Sequence, residues 1–168
     1  DMVEILKELQ DNFAGTTSEL DETLEVARTL QDECGVHALI LSGGFVSRAP
    51  MYVMRGAMPI RTMTHYMPFG WLPIGVRMAG RMMIPTEPFK EAYFLEDALK
   101  FRAALKMPLV YVGGLISREK IDEVLGDGFE FVSMARALLN DPAFVNRMKE
   151  DEHARCDCGH SNYCIARM

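Results

Sequence analysis

Residues 109–144 read LVYVGGLISREKIDEVLGDGFEFVSMARALLNDPAF. Two apolar runs in this stretch each give way to a helical segment. The first run ends at Gly113 and Gly114 and leads into a helix opened by Ser117. The second, Phe129 to Met134, ends at Ala135 and Arg136 and is followed by the short apolar turn Ala137, Leu138 and Leu139. Two consecutive strand and helix units place the chain in the α/β class.

The chemistry sits where the runs stop. Paired glycines leave backbone N–H groups bare and approachable. At the second strand end an N–H cluster and the Arg136 guanidinium stand side by side. In parallel (β/α) barrels the loops after the last two strands commonly form a phosphate site, and arginine suits bidentate contact with phosphate. Gly113, Gly114, Ala135 and Arg136 are therefore the expected phosphate-binding residues. The alternative is that the two glycines only turn the chain and Arg136 is a solvated surface charge.

Upstream, Thr17 or Ser18 caps a helix with Leu20, Leu24, Ala27, Leu30 and Cys34 at helical spacing, closed by Gly35. On that face Cys34 is expected in the core. A strand over 37–42 follows and ends at Gly43 and Gly44. His37 opens that strand and reads as structural. A helix over 93–106 has Phe94, Leu95, Ala98, Leu99 and Leu105 on its inner side, and Pro108 starts the strand into Gly113. The next helix is expected over 118–125. Asp141 with Pro142 makes an N-cap and first helical position for the closing helix. Residues 3–9, VEILKEL, fit either a strand or a helical turn, and Lys7 lies near a strand position. Every glycine-rich corner falls on one end of the sheet, where the active site belongs.

HALILSGG, PLVYVGGLISREKIDEVL and FEFVSMARALLNDPAFVNRM together resemble the old yellow enzyme family of FMN-dependent NAD(P)H:flavin oxidoreductases, including its 2,4-dienoyl-CoA reductase relatives. The resemblance runs from about Leu20 onward. It implies that the backbone at Gly113 and Gly114, with Ala135 and Arg136, holds the FMN phosphate. The family usually has glycine before that arginine, and here Ala135 stands in its place. It further implies that NADH or NADPH reduces the flavin, which then reduces an activated C=C of an unsaturated carbonyl compound. The family's carbonyl-binding pair and proton-donating tyrosine come from the N-terminal half of its barrel. His65, Tyr66 and Tyr111 are accordingly given no catalytic role.

At 168 residues and 49% hydrophobic content the chain supports one core. A complete (β/α)₈ barrel needs roughly 250 residues. The expected fold is thus a partial TIM barrel over 1–168, its C-terminal half, with about four strand-helix units. A net charge of −6 argues against nucleic acid as a partner. No apolar run is long enough to span a membrane, and no signal pattern opens the chain, so cytoplasm is the expected location. The partner expected is a small-molecule substrate. Open strand edges would also favour homo-oligomers, or pairing with a missing N-terminal half. A non-catalytic half-barrel that binds a phosphorylated ligand is the competing reading.

Residues 45–90 break the repeat. They carry eight of the 13 methionines and six of the eight prolines, with five arginines among them. So long and apolar a connection reads as a lid over the active-site mouth, as packing against a neighbouring subunit, or, over 74–84, as a membrane-surface helix. The tail at 156–164, CDCGHSNYC, has Cys156, Cys158 and Cys164 near His153 and His160. Reductase relatives bind a [4Fe–4S] cluster in this region through a C-x-x-C pair and further cysteines. Three thiolates and a histidine also suit zinc. The C-x-C spacing here favours reduced, non-ligating thiols, so no metal ligand is assigned.

Overall fold

The computed structural model describes residues 17–42, 55–57, 59–65, 70, 74, 78 and 87–166. In chain order these form α1 (Thr17–Asp32), β1 (Leu39–Leu41), α2 (Ile60–His65), α3 (Leu95–Ala104), β2 (Leu109–Val112), α4 (Arg118–Gly126), β3 (Phe131–Ser133), α5 (Arg136–Asn140), α6 (Phe144–Glu150) and α7 (Tyr163–Ala166). The Lys7 region, Gly43 and Gly44, and most of 45–86 lie outside the described residues.

The three strands make one parallel sheet in the order β1-β2-β3. Ile40 pairs with Val110 and Val110 with Phe131, so these three residues form a row on one face. Leu109 and Tyr111, completely buried, point to the opposite face, where helices cover them together with Leu39, Leu41 and Val132. Among the described residues no helix covers the row of Ile40, Val110 and Phe131: Ile40 is 62% and Phe131 58% exposed, and Val110 between them is half-buried. A parallel sheet normally carries a layer on both faces. Here one layer is in place, which makes the fold mixed α/β with a small three-stranded parallel sheet.

Local signals set the element ends. Gly35 adopts φ 64°, and the Val36 N–H reaches back to the Leu30 carbonyl at 3.2 Å, so the left-handed glycine folds the chain across the end of α1. Helix α1 ends before Cys34, which is exposed rather than in the core. Helix α3 runs two residues inside each expected end. It buries Ala98 and Phe101, and Leu99 turns outward. Ser117 caps α4 as its position implied, its Oγ accepting from the Lys120 N–H. At the closing helix the expectation moves by two residues. The Asp141 side chain accepts from the Ala143 N–H at 3.0 Å and its carbonyl from the Phe144 N–H at 3.1 Å. Asp141 and Pro142 thus form a lead-in turn, and α6 begins at Phe144.

The core lies between the covered sheet face and α1, α3 and α4. Ala27, Phe94, Ala98, Phe101, Leu109, Tyr111, Ile121, Val124 and Phe129 are buried there. Phe144 and Ala137 extend it under α5 and α6.

Candidate functional site

Val112 pairs with Ser133, so β2 and β3 release the chain side by side. Gly113 and Gly114 leave from one strand end, and Ala135 and Arg136 from the next. Sequence reasoning expected these four residues to be neighbours, and the register brings the two pairs together.

The glycines have a packing role as well as an open backbone. The Tyr111 hydroxyl donates to the Gly113 carbonyl at 3.1 Å and accepts the Phe94 N–H at 3.3 Å. Burial raises the pKa of this phenol, so it remains a neutral strut. A Cβ on Gly113 would collide with the same hydroxyl. Gly114 holds φ 65°, and a Cβ there would meet the rings of Tyr93 and Phe89. Both positions therefore require glycine for the aromatic layer above the strand ends.

The loop leading into α4 is already occupied by a carboxylate of the chain itself. Oε1 of Glu91 accepts from the Ile116 N–H at 2.8 Å, the Ser117 N–H at 2.6 Å and the Ser117 hydroxyl at 2.8 Å. Its other oxygen pairs with Arg155 at 3.5 Å. The tail is laced to the same loop by the Cys156 N–H, which donates to the Ile116 carbonyl at 2.7 Å.

Arg136 is held differently. Its Nη1 donates to the Arg55 carbonyl at 3.1 Å and to Oδ1 of Asn162 at 2.7 Å. A guanidinium has five N–H donors, of which Nη1 supplies two. Among the described residues the Nε and Nη2 donors have no partner, and no carboxylate pairs with Arg136. The side chain is half-buried, with one end anchored and a complete bidentate edge left over. Ala135, beside it, is exposed, so its methyl group lies on the surface of this corner.

The tail forms the rest of the corner. His160 is 7% exposed, its ring stacks on Phe89 with centroids 3.3 Å apart, and both ring nitrogens are buried without a hydrogen-bond partner among the described residues. Burial, and then the nearby Arg136 charge, push its pKa down to about 4. His160 and Asn162 both take left-handed backbone, at φ 47° and 55°. Non-glycine residues in that region carry strain that surrounding contacts must hold in place. Here those contacts are the Phe89 stack, the Ala57 N–H donating to the His160 carbonyl at 3.0 Å, and Asn162 bridging Arg136 and Ala57.

The cysteines diverge. Cys156 is buried, its thiol donating to the Ala137 carbonyl at 3.4 Å and accepting from Nδ2 of Asn140 at 3.5 Å. Cys158 is half-buried and Cys164 exposed. Among the described residues no three His, Cys, Asp or Glu side chains gather as a metal-holding group.

Over 146 residues the chain is 38% identical to a 4,4'-dithiodibutanoate disulfide reductase of Rhodococcus erythropolis, a match that covers 87% of this chain. The chain spans 36% of that relative's length. No family model matches the chain, and no solved structure matches it. Among the described residues no helix is long and apolar enough to cross a membrane.

Glu91, His160 and Asn162 were not singled out for the site by sequence reasoning. In sequence the tail reads as a candidate metal-binding or free-thiol segment, and its conformational signal is asparagine, a residue that tolerates left-handed backbone.

Proposed function

We propose that this chain carries the phosphate-binding part of an FMN-dependent NAD(P)H oxidoreductase. One observation carries the reading. Arg136 is half-buried, anchored through Nη1 and unpaired with any described carboxylate, its Nε and Nη2 donors have no described partner, and it follows the strand that pairs with β2. A half-buried guanidinium without a counter-charge among the described residues favours an oxyanion, and that edge fits phosphate bidentately. The glycine corner at Gly113 and Gly114 and the backbone at Ala135 complete the group proposed to receive the FMN phosphate. Bound FMN supplies the two-electron chemistry, and the protein supplies binding and orientation.

The relative named as a disulfide reductase supports an oxidoreductase in general terms. The substrate proposed is a small unsaturated carbonyl compound whose activated C=C is reduced, with NADH or NADPH as reductant. No residue of this chain is assigned to the proton transfer or to carbonyl polarisation. The compartment proposed is the cytoplasm, and the net charge of −6 argues against nucleic acid as a partner.

The proposed domain is the C-terminal half of a TIM barrel over 1–168, with the 45–90 segment as its lid and the cysteine-bearing tail closing the phosphate corner. The bare row of Ile40, Val110 and Phe131 supports this, because the interior of such a barrel is filled by side chains from all its strands. The same row favours a second reading, a subunit that associates with another half.

The test is a spectrum of the purified chain after incubation with FMN and desalting. Retained flavin absorbance that is lost in Arg136→Ala is the expected result. Retention equal to wild type in Arg136→Ala, or no retention by either protein, overturns the reading.

A further inference from the structure

Asn162 is 3% exposed, and its side-chain amide works in two directions. Oδ1 accepts from Nη1 of Arg136 at 2.7 Å, and Nδ2 donates to the Ala57 carbonyl at 3.0 Å. These partners fix which end of the amide is oxygen, since a guanidinium only donates and a carbonyl only accepts. The Arg55 carbonyl takes the second Nη1 bond at 3.1 Å. The 55–57 segment is itself held, with the Gly56 N–H on the Glu87 carbonyl at 2.9 Å and the Ala57 N–H on the His160 carbonyl at 3.0 Å. Gly56 sits so close to His160 that a Cβ there would strike the His160 carbonyl. Arg136 is thereby clamped at one nitrogen between two segments remote from it in the chain.

The chemistry of the clamp is selective. An unrestrained arginine samples many rotamers and loses that freedom on binding. A carboxylate at position 162 would bind the guanidinium but would neutralise it, and it could not donate to the Ala57 carbonyl. An amide oxygen holds it and leaves the full positive charge for a ligand.

We propose that Asn162 is a positioning residue of the oxyanion site, fixing the Arg136 guanidinium so that its Nε and Nη2 edge is presented to a phosphate monoester. This rests on the phosphate reading of Arg136 above. Asn162 acts through Arg136, and its effect is confined to ligands that carry the phosphate.

The experiment compares FMN with riboflavin, which lacks the phosphate, by flavin fluorescence titration of the 168-residue chain, with thermal unfolding measured in parallel. Asn162→Gly suits the left-handed backbone at φ 55° and removes the clamp. Asn162→Asp is nearly isosteric and places a negative charge on Arg136. The expected result is that the preference for FMN over riboflavin falls about tenfold or more in both variants, the scale of one charged hydrogen bond, while riboflavin binding is unchanged. Equal weakening of both flavins, or a lowered thermal midpoint with the preference intact, overturns the proposal and leaves Asn162 a structural residue. Arg136→Ala separates the two levels. If it abolishes the preference while both Asn162 variants keep it, positioning alone fails. If Arg136→Ala keeps the preference, or wild type binds neither flavin, the phosphate reading fails and positioning with it.

Discussion

His160 lies flat against Phe89, the ring planes 11° apart and the centroids 3.3 Å apart. Its buried nitrogens bind a proton poorly, and the folded-state pKa is pushed down to about 4 from an ordinary 6.5. The unfolded chain therefore binds the proton more tightly. Above about pH 6.5 His160 is neutral in both states and adds no pH dependence. As pH falls from 6.5 towards 4, stability is lost, by roughly 3 kcal/mol across that window. Urea denaturation at pH 7 and pH 4.5 should show a larger loss for wild type than for His160→Asn, which keeps a residue tolerant of left-handed backbone. Equal losses in the two proteins would sink this account.

Tyr111 and Gly113 should couple strongly. Tyr111→Phe removes the hydroxyl that accepts from the Phe94 N–H and donates to the Gly113 carbonyl, at a cost of about 1–3 kcal/mol. Gly113→Ala drives a methyl group into the Tyr111 hydroxyl, so it should be severe in wild type and milder in the Tyr111→Phe background. A double-mutant cycle by chemical denaturation measures the coupling. Strictly additive effects would show that the hydroxyl does not set the requirement for glycine.

Glu91 fastens the loop before α4 to the tail. Glu91→Ala strands the buried N–H groups of Ile116 and Ser117 and should cost roughly 2–4 kcal/mol. Cys156, 1% exposed, should then react faster with a thiol reagent, because its N–H bonds the same loop. Glu91→Gln, which keeps one accepting oxygen, should lie between. Unchanged alkylation of Cys156 in Glu91→Ala would separate the tail from this carboxylate.

The open sheet face should make the chain self-associate. Ile40→Thr with Phe131→Thr removes apolar surface that is more than half exposed, so stability should change by less than about 0.5 kcal/mol while association weakens. Sedimentation equilibrium across a concentration series reads both proteins. A wild-type chain that stays monomeric at every concentration would argue against an associating face.

The strand and helix units were legible because their signals are local. Ser117 announces the start of α4, Gly35 the close of α1, and the apolar runs at 109–112 and 129–134 the strands, each through contacts within a few residues. The expectations that moved are those decided by packing. Cys34 continues the apolar spacing of α1 but falls past the end of that helix, and Leu99 shares the spacing of α3 while Phe101 takes the core position. Sequence alone brought Gly113, Gly114, Ala135 and Arg136 to one end of the sheet, because adjacent parallel strands release their chains together. It could not say how Arg136 is held. That was decided by two contacts reaching 81 and 26 residues along the chain, to Arg55 and Asn162, which no periodicity or spacing encodes. Nor could it show that Ile40 and Phe131 stand exposed in that row among the described residues, since an apolar residue reads the same whether or not anything packs against it.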